Sequence, residues 1–134
     1  MPWLPASWPK RISLFLIALF FINAGISHFT NEAFFVRIVP PWLPNPLLMV
    51  QISGVAEIAG GLGILVPQLR RAAGIGLIAL LIAVFPANVH MAVHPEQFAD
   101  IATPGMLYFR LPLQLVALVW TWWATKPEAA LAVA

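Results

Sequence analysis

The sequence predicts an all-α fold, an integral membrane four-helix bundle whose N and C termini are both cytoplasmic. The composition is 61% hydrophobic and only 9% charged, with a mean hydropathy of +0.89, which is far from the balance of a soluble domain. The apolar residues form four runs, each of about 20 residues, the length that crosses a bilayer. The predicted spans cover residues 12–29, 47–66, 72–92 and 107–125.

The first predicted span directly follows the basic pair Lys10 and Arg11. A charged start followed by an apolar run is also typical of a signal peptide. This run is longer than the apolar part of a signal peptide, about 7 to 15 residues, and residues 23–25 make a poor cleavage site. We therefore expect the first helix to remain in the protein.

Prolines separate the later spans. Four prolines between residues 40 and 46 prevent the first connection from continuing either helix, and we expect residues 39–46 to form an extended strap. Pro67 ends the second span before a tight turn. Since spans and short connections fill the chain, we expect residues 1–134 to form a single domain without a separate soluble unit.

The basic residues set the predicted orientation. Lys10 and Arg11 precede the first span, Arg70 and Arg71 occupy the second connection, and Lys126 follows the fourth span. Lys and Arg are enriched in cytoplasmic loops, so these three regions are expected inside. The first and third connections carry little net basic charge and are expected on the outer side.

Charge and cysteine content exclude several functions. The formal net charge is +2, but the seven basic residues form no dense patch, so no nucleic acid is expected as a partner. The chain contains no cysteine, which excludes disulfides, thiolate metal sites and dithiol chemistry by the chain itself. The expected surroundings are the lipid bilayer, and no intrinsic cofactor is predicted.

The second span contains one acidic residue, Glu57, near its middle. An ionised carboxylate facing lipid would cost several kcal/mol, so Glu57 must be paired, protonated or functional. Ser53 and Gly60 or Gly61 share its face at helical spacing, and small residues mark places where helices approach closely. We therefore expect Glu57 to face the bundle interior.

Polar residues of the other spans concentrate in the outer half of the predicted bundle, whereas the inner half is nearly all apolar. With Glu57 at mid-depth as the floor, this asymmetry predicts a pocket that opens outward. The candidate residues for ligand binding or proton handling are Glu57, His90, Asn88, His28, Arg110 and Gln114.

Three interpretations of this set are open. Arg110 and Glu57 could form a buried ion pair, with the other polar residues satisfying helix ends. Alternatively, Glu57 and the histidines handle protons around a small ligand or a quinone headgroup. A metal site from His28, His90 and Glu57 is the third, but its ligands come from three helices, and no metal is assigned.

Pro86 in the third span should free a backbone carbonyl near Ile82 and kink the helix, and Asn88 or a polar neighbour could satisfy that carbonyl. This region is also part of a family resemblance. The segments that carry it are Ala24-Gly25 with His28-Phe29, residues 38–44, Ser53-Gly54 with Glu57 and Gly60-Gly61, Pro67 with Arg70, and residues 85–92. Together they resemble the DoxX-like family of small four-helix bacterial membrane proteins.

The resemblance implies a location in the bacterial inner membrane and relatives linked to quinone-coupled oxidation, enzyme maturation and redox-stress complexes. Fold can be carried over from such a resemblance, but activity cannot. Our leading hypothesis is a subunit that binds a quinone or other small hydrophobic ligand and serves a redox partner. In it, Glu57 and His90 exchange protons with the ligand, and Arg110 holds Glu57 or an anionic form of the ligand.

The competing hypothesis is a non-catalytic scaffold or assembly protein whose polar core only fixes helix register. Either protein could act as a homo-oligomer. A small transporter would need a path through the inner half, and the apolar composition there argues against one.

Overall fold

The computed structural model describes residue 5 and residues 7–127, and within them the chain is helical without any strand. Four helices are long: α1 (Trp8–Thr30), α3 (Pro46–Gly63), α4 (Arg70–Val93) and α5 (Pro104–Thr125). The short helix α2 (Glu32–Ile38) follows α1, and a 3-10 helix (Pro95–Phe98) follows α4.

The four long helices lie on the four predicted spans, and each boundary falls within about one turn of its prediction. Local capping explains why two of them begin earlier than predicted. The side chain of Ser7 accepts a hydrogen bond from the backbone of Lys10, and that of Thr103 accepts one from Met106. Each cap is followed by a proline in the first turn, where its missing N–H costs nothing.

Within the described residues, three helices, α1, α3 and α4, are long and apolar enough to cross a membrane. Helix α5 has 22 residues, which is also long enough. It is less apolar because Arg110, Gln114 and several tryptophans lie along it. Length and composition therefore support three of the four predicted spans.

The long helices contact one another in a ring, in the order α1, α3, α4, α5 and back to α1. The chain topology brings the basic residues predicted to be cytoplasmic to one end of this ring, which we call the basic end. Helix α2 and the 3-10 helix lie at the opposite end, which we call the α2 end. The two halves of the molecule that adjoin these ends differ in their packing.

Helices α1 and α3 approach backbone to backbone. A Cβ atom added to Gly25 would lie 2.6 Å from the carbonyl oxygen of Gly54, and one on Gly61 would lie 3.1 Å from that of Ala18. Such distances leave no room for a side chain, so close packing at these glycines is confirmed. Gly76, in contrast, has nothing within 4 Å of such an atom.

The half near the basic end holds the main apolar core. Trp120 of α5 donates its indole N–H to Ser13 of α1 at 2.9 Å, which joins these helices there. The buried residues of this core are Leu14, Ile17, Ala18, Phe21, Ile64, Leu77, Leu81 and Ala124. This half is filled by side chains, so space for a ligand must be sought in the other half.

The connection between α1 and α3 contains a helix that was not predicted, followed by a turn within residues 39–46, which were predicted to form an extended strap. Its first part forms helix α2, which packs against α1, α3 and α4. The rest contains a turn in which the backbone of Leu43 donates to Pro40, and Asn45 adopts the left-handed conformation, with φ of 48°, before α3 begins. Arg37 of α2 donates to both carboxylate oxygens of Asp100, at 2.6 and 2.9 Å, and so ties α2 to the connection after α4.

Candidate functional site

A cavity of about 480 Å³ lies between the long helices in the half near the α2 end. Most of its lining is apolar, with α2 and the segment 39–43 at one end. Its polar lining residues are His28, Ser53, Glu57, Asn88, Arg110 and Gln114. The cavity thus brings together every candidate residue predicted from the sequence except His90.

His28 and Glu57 form the first polar group of the cavity, and both are buried, with 7% and 8% of their surface exposed. The Nε2 atom of His28 lies 3.2 Å from Oε2 of Glu57, and its Nδ1 atom lies 2.9 Å from the carbonyl oxygen of Val50. A carbonyl only accepts hydrogen bonds, so Nδ1 carries a hydrogen. A favourable contact between Nε2 and the carboxyl group needs a proton on one of the two, and within the described residues Oε2 of Glu57 has no hydrogen-bond partner.

The backbone of α3 explains how His28 reaches Glu57. Val50, Gly54 and Glu57 lie on one face of α3, four and three residues apart. A Cβ atom on Gly54 would lie only 2.8 Å from the Cβ of His28. Because Gly54 has no side chain, the imidazole lies across the helix between the Val50 carbonyl and the Glu57 carboxyl.

Phe35 of α2 covers the other side of the imidazole. The two ring centroids are 4.1 Å apart, and the planes are inclined by 36°. Phe35 was not among the predicted site residues, because α2 was not predicted. A signal was present, since Phe34, Phe35 and Ile38 repeat at helical spacing between polar residues.

The second polar group is a chain of side chains on α4 and α5. Arg110 donates its Nε–H to Asn88 at 3.1 Å, and Asn88 donates to the side-chain oxygen of Gln114. Gln114 in turn donates to the backbone carbonyl of Leu81. The chain therefore runs from Arg110, which is exposed, to Gln114, which is buried.

Gln114 hydrogen-bonds the backbone of α4 close to the proline of that helix. Pro86 lies within this helix, as predicted, and was expected to free a carbonyl near Ile82. The carbonyl that receives a side-chain hydrogen bond belongs to Leu81, one residue earlier, and its donor comes from α5. Asn88, the residue named as a candidate for this role, bonds instead to its two side-chain neighbours.

The ion pair between Arg110 and Glu57, the first of the three interpretations of the polar residues, is not formed. Among the described residues, the ion pairs are His28 with Glu57 and Arg37 with Asp100. Glu57 belongs to the α1 and α3 side of the cavity, whereas Arg110 is held by Asn88 on the α4 and α5 side.

His90 does not reach Glu57, although the leading hypothesis paired them. It lies on a separate groove of about 530 Å³ that is also lined by Pro41 and Trp42. Its ring centroid is 4.7 Å from that of His94, which is half-buried. His90 follows Asn88 by two residues, and two residues turn a helix by about 200°, so the two side chains point to opposite faces.

The metal site from His28, His90 and Glu57, the third interpretation, is not formed either. His90 is separated from the His28–Glu57 pair, as described above. Within the described residues, no group of three or more His, Cys, Asp or Glu side chains could hold a metal ion.

A family model described as a domain of unknown function (DUF8561) matches residues 17–125, and the chain belongs to this family. The matched region includes both polar groups of the cavity. No curated protein and no solved structure matches the chain.

Proposed function

We propose that this member of the DUF8561 family is a membrane-embedded binding protein for a small lipophilic molecule with an oxygen-bearing headgroup, a quinone being the leading candidate. In this proposal the protein serves a redox partner, which supplies or removes the electrons. The chain itself supplies the cavity and the groups that hydrogen-bond the headgroup.

The proposed setting is the bacterial inner membrane, with four spans arranged as a bundle and both termini in the cytoplasm. The ring of contacts among the long helices supports α5 as a fourth span. The concentration of basic residues at one end supports the orientation, because cytoplasmic ends carry more Lys and Arg. The resemblance to DoxX-like proteins is consistent with this setting and stays a prediction.

The observation that carries the proposal is the placement of two polar groups on opposite helix pairs around an apolar cavity. A quinone headgroup has an apolar ring with carbonyl oxygens on opposite sides. The buried Oε2 atom of Glu57 has no hydrogen-bond partner among the described residues, so the protonated carboxyl group is a suitable donor to such an oxygen. The unused N–H groups of Arg110 and Asn88 are suitable donors on the other side. Ligand sites of this kind are mostly apolar with a few convergent polar groups.

One observation favours the scaffold alternative. Asn88 and Gln114 satisfy each other, and Gln114 also satisfies a backbone carbonyl of a helix that contains a proline. Interhelical hydrogen bonds of this type hold membrane helices together without any ligand. A purely structural polar core would therefore include at least this part of the site.

Native mass spectrometry with lipid extraction tests the proposal directly. Wild-type protein purified in a mild detergent is compared with Glu57→Gln, which keeps the shape of the side chain but removes its ionisable group. Glu96→Gln, on the exposed 3-10 helix, is the matched control. We expect a co-purifying quinone or other lipophilic molecule with the wild type and the control, and its loss from Glu57→Gln.

The scaffold alternative predicts a different result. In that case the wild type carries no small molecule and co-purifies with a stable protein partner. Glu57→Gln would then weaken assembly or stability without any change in ligand content.

A further inference from the structure

We propose that the ligand carries a long apolar tail, and that this tail leaves the cavity sideways, between α1 and α5, into the hydrocarbon of the bilayer. The inference rests on the proposed function and adds the class of ligand: an amphiphile with a compact oxygen-bearing head and a hydrocarbon or isoprenoid chain.

Helices α1 and α5 are in contact mainly in the half near the basic end. Their hydrogen bond joins Ser13 and Trp120, and their shared apolar core includes Leu14, Ile17 and Ala124. These residues lie toward the start of α1 and toward the end of α5. Past them, the two helices border the cavity.

In the half near the α2 end, residues of both helices line the cavity and are exposed at the same time. Phe20 of α1 is 58% exposed, and Leu113 of α5 is 50% exposed. The neighbouring Phe21, which also lines the cavity, is only 2% exposed. A side chain that borders both the cavity and the outside marks an opening, so the cavity opens between α1 and α5.

The α2 end of the cavity is closed. Phe34, Phe35 and Ile38 of α2 line the cavity there, together with Pro40 and Leu43. Ile38 is buried in a cluster with residues of α4, the 3-10 helix and α5, namely Met91, Phe98 and Leu107. The hydrogen bonds from Arg37 to Asp100 add a polar link at the same place.

At this level the segment after α2 lies against α4. Pro41 and Trp42 line the same groove as Phe85, Pro86 and Val89 of α4. The segment after α2 thus lies over α4 on the side away from α5. Met49 of α3 also lines the cavity and is 38% exposed, but Phe20 and Leu113 are the most exposed of the large apolar side chains around it. The gap beside these two residues is therefore the main opening of the cavity.

Arg110 fits the position of a headgroup contact at this opening. It lines the cavity, it is exposed, and only its Nε–H is used by Asn88. The remaining guanidinium N–H groups can hold an oxygen of the head while the tail passes Leu113. A fully water-soluble ligand would gain nothing from an opening whose rim is Phe and Leu.

Binding of two probes to protein in phosphatidylcholine nanodiscs tests the inference. One probe is a benzoquinone with a decyl tail, and the other is the same head with a methyl group instead of the tail. Leu113→Trp and, from the other helix, Ala24→Phe narrow the gap. Leu115→Trp adds the same bulk to a side chain of α5 that is exposed but does not line the cavity.

We expect the wild type to bind the tailed probe more tightly, after correction for partitioning into lipid. Leu113→Trp and Ala24→Phe should each weaken the tailed probe about tenfold and leave the tail-less probe unchanged, because only the tail occupies the gap. Leu115→Trp should behave like the wild type. Thermal unfolding of each variant verifies that the fold is retained.

Two results would overturn the inference and leave the proposed function intact. One is equal weakening of both probes by the gap variants, and the other is unchanged binding of the tailed probe in a folded Leu113→Trp protein. The proposed function fails separately if the wild type binds neither probe, or if Glu57→Gln binds both as the wild type does. Either of those outcomes also removes the basis for the tail path.

Discussion

The imidazole of His28 lies across one face of α3, between a backbone carbonyl and the carboxyl group of Glu57. Both side chains are buried, so each depends on the other for its compensation. Glu57 without a partner would leave a polar group in an apolar environment, and the free energy of unfolding would fall accordingly. The contact between the two side chains should therefore stabilise the fold, in addition to its part in the proposed binding site.

Replacing His28 by Ala should lower the free energy of unfolding by about 3 kcal/mol, because the carboxyl group of Glu57 is then left buried without its partner. The same replacement in a Glu57→Gln background should cost less, with a coupling of about 1 to 3 kcal/mol between the two positions. Unfolding in mixed dodecyl maltoside and SDS micelles, followed by circular dichroism, measures all four proteins of the cycle.

His94→Ala is the control for this cycle, because His94 is half-buried near the groove outside the cavity. Its effect should add to that of Glu57→Gln without coupling. If the effects of His28→Ala and Glu57→Gln on the free energy of unfolding were also strictly additive, His28 and Glu57 would not stabilise each other.

At the scale of elements, the crossing of α1 and α3 sets the position of the pair. A Cβ atom at Gly25 would lie 2.6 Å from a backbone oxygen and 2.7 Å from a carbon of Ile58. Backbone cannot move aside as a flexible side chain can, so the two helices would have to separate. His28 would then shift relative to Glu57.

We expect Gly25→Ala to lower the free energy of unfolding by about 1 to 3 kcal/mol, the usual cost of overpacking. Gly76→Ala is the matched control, since an added Cβ there meets nothing within 4 Å. That control should be neutral or slightly stabilising, by up to about 1 kcal/mol, because Ala favours a helix more than Gly. The micelle unfolding assay compares both variants, and equal effects would argue against the close crossing.

The short helix α2 is the element that the sequence analysis missed. It has seven residues and is followed within a few positions by several prolines, so its hydrophobic period is too short to stand out from the connection. Tertiary packing stabilises α2, because Phe34 and Phe35 line the cavity and Ile38 belongs to a buried cluster. A seven-residue helix would be marginal without such packing.

At the scale of the whole molecule, the α2 end is held together by the link between Arg37 and Asp100. The hydrogen bonds from Arg37 hold the pKa of Asp100 below its ordinary value, and the same bonds raise the pKa of Arg37. Because the pKa of Asp100 is lowered in the folded protein, its contribution is present above the ordinary aspartate range. It is lost as the pH falls through the lowered pKa.

Asp100→Asn should therefore be less stable than the wild type at neutral pH, and the difference should disappear in acid. The expected difference is small, because both side chains are exposed to water. Stability measured over a pH series for the two proteins isolates this pair, since other titrations cancel in the difference. Glu96→Gln, on the adjacent 3-10 helix, is the control; a difference for Asp100→Asn that persists in acid would contradict the assignment.

The proposed orientation can be tested with single cysteines, because the chain contains none of its own. Gln68 and Glu96 are exposed residues in connections at opposite ends of the molecule. In intact cells with a permeabilised outer membrane, an impermeant maleimide should label Glu96→Cys at once and Gln68→Cys only after lysis. The reverse pattern would place the basic end outside.

The sequence by itself determined the helices and the kind of environment they suit. Apolar runs of spanning length, with prolines and caps at their ends, are local properties, and they located the four long helices to within about a turn. A lone acidic residue in such a run also identified Glu57 as interior, since an ion facing lipid is too costly.

Only the tertiary structure decided which polar residues meet. His28, rather than Arg110 or His90, is the partner of Glu57, because Gly54 lets α1 approach α3 closely enough for the imidazole to cross it. His90 was excluded by its angle around α4, which depends on the helix faces that packing selects. Depth along a helix can be counted from a sequence, but the side of the helix that faces a given neighbour is fixed by contacts between distant segments.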